Sequence, residues 1–95
     1  MMSKYTVKFT KKFKKSYKKL SRSGANIGLL DEVIEKLQNG EKLEKKYRDH
    51  ELIGNFAGFR ECHIEFDWVL VYYYEDDVLV LTLFDTGSDA GVLGL

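Results

Sequence analysis

Hydrophobic and polar positions change period along this chain, and the changes divide it into elements. Tyr5, Val7 and Phe9 alternate with Lys4, Thr6 and Lys8, the period-two pattern of a strand with one buried face. From Thr10 the period lengthens, with Phe13, Tyr17 and Leu20 at four- and three-residue spacing and lysines on the remaining positions. That spacing predicts a helix capped by Thr10 and ended by Ser21 to Gly24. Leu30, Val33, Ile34 and Leu37 predict a second helix, which Asn39 and Gly40 stop. A charged, loop-like stretch follows from Lys42 to His50. After a short strand at Glu51 to Gly54 come three apolar runs: Phe59 to Phe66, Trp68 to Tyr74 and Val78 to Phe84. Glu75, Asp76 and Asp77 join the last two, the spacing of an antiparallel hairpin. The order βααββββ segregates helices from strands. It predicts an α+β fold with two N-terminal helices on one face of a twisted, antiparallel-rich sheet, the other face being left at least partly open.

Composition bounds this picture. With 95 residues and an apolar fraction of 44%, the chain is expected to form one domain over 1–95 with a core that needs no disulfide or metal staple. There is no proline, internal repeat or low-complexity linker. The formal net charge of zero hides an asymmetry, because residues 1–30 hold nine Lys or Arg and no acid, so that +9 is joined to −9. Clustered cations gain counterion-release energy on a phosphate backbone, which points to an anionic partner for the basic part. Cys62 is the only cysteine, which excludes an intrachain disulfide and a Cys-rich zinc site and fits a reducing compartment. No signal-peptide run and no window near the roughly 20 apolar residues of a membrane helix is present, so a cytoplasmic protein without membrane contact is expected.

The candidate chemistry lies between Tyr47 and Trp68. Both histidines, His50 and His63, fall there, and Asp67 follows the second by four residues. Histidine's ordinary pKa of about 6.5 suits proton exchange near neutrality, and a nearby carboxylate favours the imidazolium or fixes the tautomer. His50, His63, Asp67 and Asp89 are of metal-ligand type but lack diagnostic spacing, so metal binding is the weakest reading and no metal or cofactor is expected. On a strand, Cys62 and His63 point to opposite faces, which makes Cys62 a small buried hydrophobe. Trp68 opens an apolar run and suits core packing more than base stacking.

Tyr47-Arg48-Asp49-His50, then Leu52 with Gly54-Asn55, then Phe59-Arg60-Glu61-Cys62-His63-Ile64 and Asp67-Trp68 together resemble the middle of a YafQ-type toxin of the RelE superfamily. Thr86-Gly87-Ser88 resembles that family's tail, and the element order resembles its fold over essentially the whole chain. The resemblance implies a RelE-like, microbial ribonuclease-type fold and a bacterial type II toxin that enters the ribosomal A site and cuts messenger RNA. It also implies inhibition by a cognate antitoxin of the DinJ or RelB kind, in a heterotetramer built as a dimer of toxin–antitoxin heterodimers. Metal-free RNA cleavage uses the ribose 2′-hydroxyl as nucleophile and needs a base, an acid for the 5′-oxygen and a cation for the phosphate. His50, His63, Asp67 and Asp89 are the catalytic candidates. Arg48, Arg60, Lys11, Lys14, Lys15 and Lys18 are candidates for holding RNA phosphates, and Trp68 for stacking on a base.

The tail departs from the family's usual R-T-G-S-H-S-D-L-F, since Asp85 stands for the arginine, Asp89 for the histidine and Leu93 for the final aromatic. Carboxylates facing an anionic substrate replace attraction with repulsion. Three readings stay open: Asp89 serves as acid or base, His50 and His63 divide the proton transfers, or activity is impaired. In the last case the chain is a toxin-like module that only binds antitoxin or ribosome. The division between the histidines is the leading expectation.

Overall fold

Strand β1 (Thr6–Phe9) and helices α1 (Lys11–Arg22) and α2 (Ile27–Gln38) form where the period changes predict them, in a computed structural model that describes residues 3–94. Thr10 is extended, and its hydroxyl accepts from the Phe13 N–H at 2.9 Å, satisfying one open donor of the first turn of α1. The same hydroxyl donates to the Phe84 carbonyl, so the cap also ties α1 to the sheet. Helix α2 stops before Gly40, whose φ of +75° lies where glycine is at ease. A Cβ there would sit 2.8 Å from the Lys4 side chain, and the close approach lets Tyr5 N–H donate to the Gln38 carbonyl at 3.0 Å.

The remaining elements are β2 (His50–Glu51), β3 (Arg60–Glu65), β4 (Trp68–Glu75), β5 (Val80–Ser88) and a short helix α3 (Asp89–Leu93). The sheet order is β1-β5-β4-β3-β2, with β1 parallel to β5 and the other pairs antiparallel. Three local expectations change. The second strand lies at His50–Glu51, and Gly54–Phe56 forms a 3-10 turn instead of continuing it. Val78 and Leu79 belong to the turn before β5, exposed, with Leu79 at a φ of +53°. The order βααββββ also lacked α3, because five residues with one buried apolar side chain, Val92, carry no helical period.

Helices α1 and α2 bury Phe13, Leu30, Val33 and Leu37 against Cys62, Ile64, Leu70, Tyr72, Leu81 and Leu83 of the sheet. On the opposite face α3 lays Val92 over Val69 and Val71. The first five residues of β4 are therefore buried, none more than 8% exposed. Beside α3, Phe59 packs edge-to-face on Phe56, Tyr73 and Phe84, with ring centroids 4.9–6.0 Å away. Among the described residues no helix is long and apolar enough to cross a membrane.

Asp85, opposite Val71 in the ladder, reaches toward α1 instead of lying open to solvent. It is 4% exposed, accepts from Ser16 Oγ at 2.6 Å and from Thr86 N–H at 2.8 Å, and has Lys12 Nζ at 3.9 Å. Ser16, the Thr86 N–H and Lys12 thus take up this carboxylate within the fold. If the Thr10 hydroxyl is what joins α1 to the sheet, Thr10→Ala lowers stability by about 1–2 kcal/mol and Thr10→Ser by only a few tenths. Urea denaturation of the two variants tests this, and equal losses would assign the effect to the threonine methyl instead.

Candidate active site

Successive side chains of β3 face opposite sides of the sheet. Cys62 and Ile64 enter the helix-side core, so Glu61 and His63 take the open face. In the ladder His50 of β2 stands opposite Glu61, which brings the second histidine to the same face. His50 Nε2 lies 3.5 Å and His63 Nε2 3.7 Å from Glu61 Oε1. The two rings are 6.4 Å apart and 28° from parallel. Helix α3 adds Asp89, its first residue, after Ser88 caps the helix by accepting the Gly91 N–H at 3.1 Å. Gly87, with a φ of +148°, has no side chain to hold α3 off the sheet, and a Cβ there would already touch Val92 at 3.6 Å.

The His50 ring is held from behind. Its Nδ1 is 2.8 Å from the Arg48 carbonyl; a carbonyl only accepts, so Nδ1 carries a proton and Nε2 faces the cluster. Arg48 itself is left-handed, with a φ of +50°, a conformation that costs a side-chain-bearing residue energy and needs support from its surroundings. That support is the neighbouring Asp49, which accepts from the Tyr72 hydroxyl at 2.6 Å and from Arg60 Nη2 at 3.3 Å. Burial, and then the bond to Asp49, push the Tyr72 phenol up, so it remains a donor. Arg60 also pairs with Glu51 at 3.5 Å.

Glu61 is the group that sequence reasoning missed. It is 3% exposed, and burial first, then the adjoining Asp89 carboxyl, push its carboxyl up to about 7, while His50 pulls the other way. Glu61 Oε2 and Asp89 Oδ1 are both buried without a hydrogen-bond partner. The signal was available in the period-two pattern, because a strand that turns His63 to the open face also turns Glu61 there, two residues earlier.

The other expected site residues divide. Asp67 lies exposed in the turn between β3 and β4, and among the described residues the acid within reach of both histidines is Glu61. Trp68 lies in the helix-side core, 8% exposed, and its Nε1–H donates to Thr86 Oγ1 at 2.9 Å. Arg60 is likewise occupied by Asp49 and Glu51 on the side away from the histidines. Arg48 is exposed and contributes its carbonyl to His50. Lys11, Lys14, Lys15 and Lys18 are exposed along α1, and Lys19 lines a cleft of about 320 Å³ between α1 and α3.

This fold and site define a small α+β protein in which a paired-histidine, paired-carboxyl cluster shares the molecule with a lysine-covered helix. The chain belongs to the YafQ family, described as bacterial toxins of type II toxin–antitoxin systems, whose family model matches residues 5–94. It is 46% identical over 41 residues to a putative toxin YafQ of Haemophilus influenzae and 36% identical over 58 residues to the mRNA interferase toxin YafQ of Escherichia coli K12. These segments are 43% and 61% of this chain, and they span 40% and 61% of those two proteins. Among solved structures, YafQ from E. coli BL21(DE3) superposes with a TM-score of 0.88 at 27% identity, covering 95% of this chain and 99% of that one. The E. coli DinJ-YafQ toxin–antitoxin complex gives 0.84 at 27% identity over 93% and 96%. A metal-bound toxin from Helicobacter pylori gives 0.86 at 37% identity over 92% and 97%. Among the described residues of this chain, no group of three or more His, Cys, Asp or Glu side chains is placed to hold a metal ion.

The raised Glu61 carboxyl links stability to pH. A glutamate with the ordinary value of 4.5 has lost its proton in the unfolded chain by the time the folded one, at about 7, begins to lose it. Between those values the folded state binds more protons, so stability falls as pH rises through the window and levels off above it. Glu61→Gln removes this slope. Relative to the parent it gains on the order of 1–3 kcal/mol between pH 5 and pH 8, read by denaturant unfolding at both. A pH-independent difference would show that Glu61 ionises normally.

Proposed function

We propose that the chain is a ribosome-dependent endoribonuclease that cuts messenger RNA in the A site by attack of the ribose 2′-hydroxyl, without a metal. It acts as one toxin domain in the cytoplasm. The single observation that carries this reading is the convergence of His50, His63, Glu61 and Asp89 on one sheet face, with the E. coli relative, an mRNA interferase toxin, as support. His50 takes the 2′-hydroxyl proton, because its Nδ1 is already committed to Arg48 and its Nε2 is free of backbone partners. His63, across Glu61, holds positive charge against the phosphate as it becomes pentacoordinate. The exposed lysines of α1 and Arg48 hold flanking RNA, whereas Arg60 and Trp68 serve the scaffold. Asp67, exposed in its turn, is free to meet the substrate from the other end of β3.

Its inhibitor is an antitoxin of the DinJ kind, with DinJ-YafQ as the structural precedent. An apolar groove of about 360 Å³ between α1 and α2, lined by Phe9, Phe13, Tyr17 and Ile34 with Lys14, Lys18 and Asp31 at its rim, suits an amphipathic antitoxin helix, and the assembly is a dimer of heterodimers. The second reading, a module that binds antitoxin or ribosome without cutting, was favoured by two acids in the tail. With Asp85 turned into α1, it rests on Asp89 alone.

Mapping message ends on ribosome complexes tests the proposal. The parent cuts in the presence of a chelator, and His50→Ala and His63→Ala each slow cutting by roughly a hundredfold or more. Variants as fast as the parent would sink the assignment, and a parent that neither cuts nor arrests growth would leave the binding module.

A further inference from the structure

We propose that Glu61 and Asp89 hold one proton between them and deliver it to the 5′-oxygen leaving group, so that this carboxyl pair is the general acid in a chain whose tail has no histidine. The inference rests on the cleavage reading above and names its missing group. Glu61 is 3% exposed, its Oε2 has no hydrogen-bond partner, and the buried Oδ1 of Asp89 has none either. Burying polar atoms without partners is costly, and two ionised carboxylates within hydrogen-bonding reach repel. One proton resolves both faults, because it makes one carboxyl a donor to the other and satisfies both atoms at once.

The groups around the pair leave this as the economical solution. His50 faces it from β2 and His63 from β3. Across from them β4 offers only Val69 and Val71, and α3 offers Val92 beside Asp89. From β5 come Gly87 and the strand's one acid, Asp85, which stands opposite Val71 and is bonded to Ser16 of α1. The ion pairs within reach of Glu61 are therefore those with the two imidazoles. Its carboxyl is pushed up to about 7 by burial and then by Asp89, which keeps a proton available at neutral pH.

The chemistry balances. The 2′-oxygen bonds to phosphorus as His50 Nε2 takes its proton. The bond from phosphorus to the 5′-oxygen breaks, its electron pair stays on that oxygen, and the shared proton joins it. A 2′,3′-cyclic phosphate and a 5′-hydroxyl leave, with His50 one proton richer and the carboxyl pair one poorer. Glu61 Oε1 is 3.5 Å from His50 Nε2, so a direct return of the proton resets the site.

The test combines a carbon-13 NMR titration of the Glu61 carboxyl with single-turnover cutting of ribosome-bound message across pH, for the parent, Asp89→Asn and Glu61→Gln. Both substitutions keep side-chain shape, and thermal melting checks that they fold. The parent Glu61 is expected to titrate at about 7. In Asp89→Asn, whose amide donates to a charged Glu61, the midpoint drops by about one pH unit or more. Cutting by both variants at neutral pH falls on the order of a hundredfold, and the alkaline limb of the Asp89→Asn profile moves down with the Glu61 midpoint. A parent Glu61 that titrates in the ordinary carboxylate range overturns the shared proton. A raised Glu61 with parental rates and limbs in both variants overturns the acid role. A parent that does not cut at any pH overturns the cleavage reading instead, and the titration alone then decides whether the proton is shared.

Discussion

Strand β4 is covered on both sides, by α1 and α2 on one face and by α3 on the other, and the properties of the site follow from that enclosure. A strand buried on both faces makes the ground beside it dry. A carboxyl placed on the neighbouring strand next to Val71, as Glu61 is, loses most of its water. Desolvation disfavours the charged form, and the same residue on an open sheet face would be an unremarkable surface glutamate. Helix α3 is thus more than a chain end, because its Val92 closes the apolar floor and its first residue supplies the second carboxyl.

Register does the rest. Opposition of His50 to Glu61, with His63 two residues further along the same face, places three titratable groups together through backbone pairing alone. A one-residue slip of β3 would exchange Glu61 and His63 for Cys62 and Ile64. Slippage is resisted on the far side, where Arg60, Glu51, Asp49 and Tyr72 form a connected set of ion pairs and hydrogen bonds. One strand face therefore carries the chemistry, and the other carries the bonds that hold its register. This explains why an arginine in the middle of the motif is absent from the site.

Much of this was legible in the residues. The N-terminal strand, both long helices and the last hairpin follow from spacing, because each has enough repeats for its period to show. Helix α3 does not, since its five residues include Gly91 and a single buried side chain. It forms because Ser88 caps it and the sheet beneath offers Val69 and Val71. Glu61 was hidden for a different reason. Proximity along the chain suggested Asp67 as the partner of His63, whereas proximity in space follows the two-residue period and the ladder. Trp68 opens an apolar run, which favours packing over stacking although it stands beside a functional motif. Its bond to Thr86 decides for packing.

The tail shows how far the surroundings decide what an exchanged residue type does. Read as letters, Asp85 and Asp89 are two carboxylates where the family resemblance suggests two cations. In the fold they have opposite environments. Asp85 follows a register shift in the pairing of β4 with β5, which turns it to Ser16 and Lys12, where its charge helps seat the basic helix. Asp89 faces a second acid in a dry corner, where a carboxyl gains by keeping a proton. The first substitution becomes an anchor for α1. The second changes the proton count of the site rather than simply its charge, and a carboxyl pair of that kind can hold at neutral pH the proton that a histidine would otherwise bring.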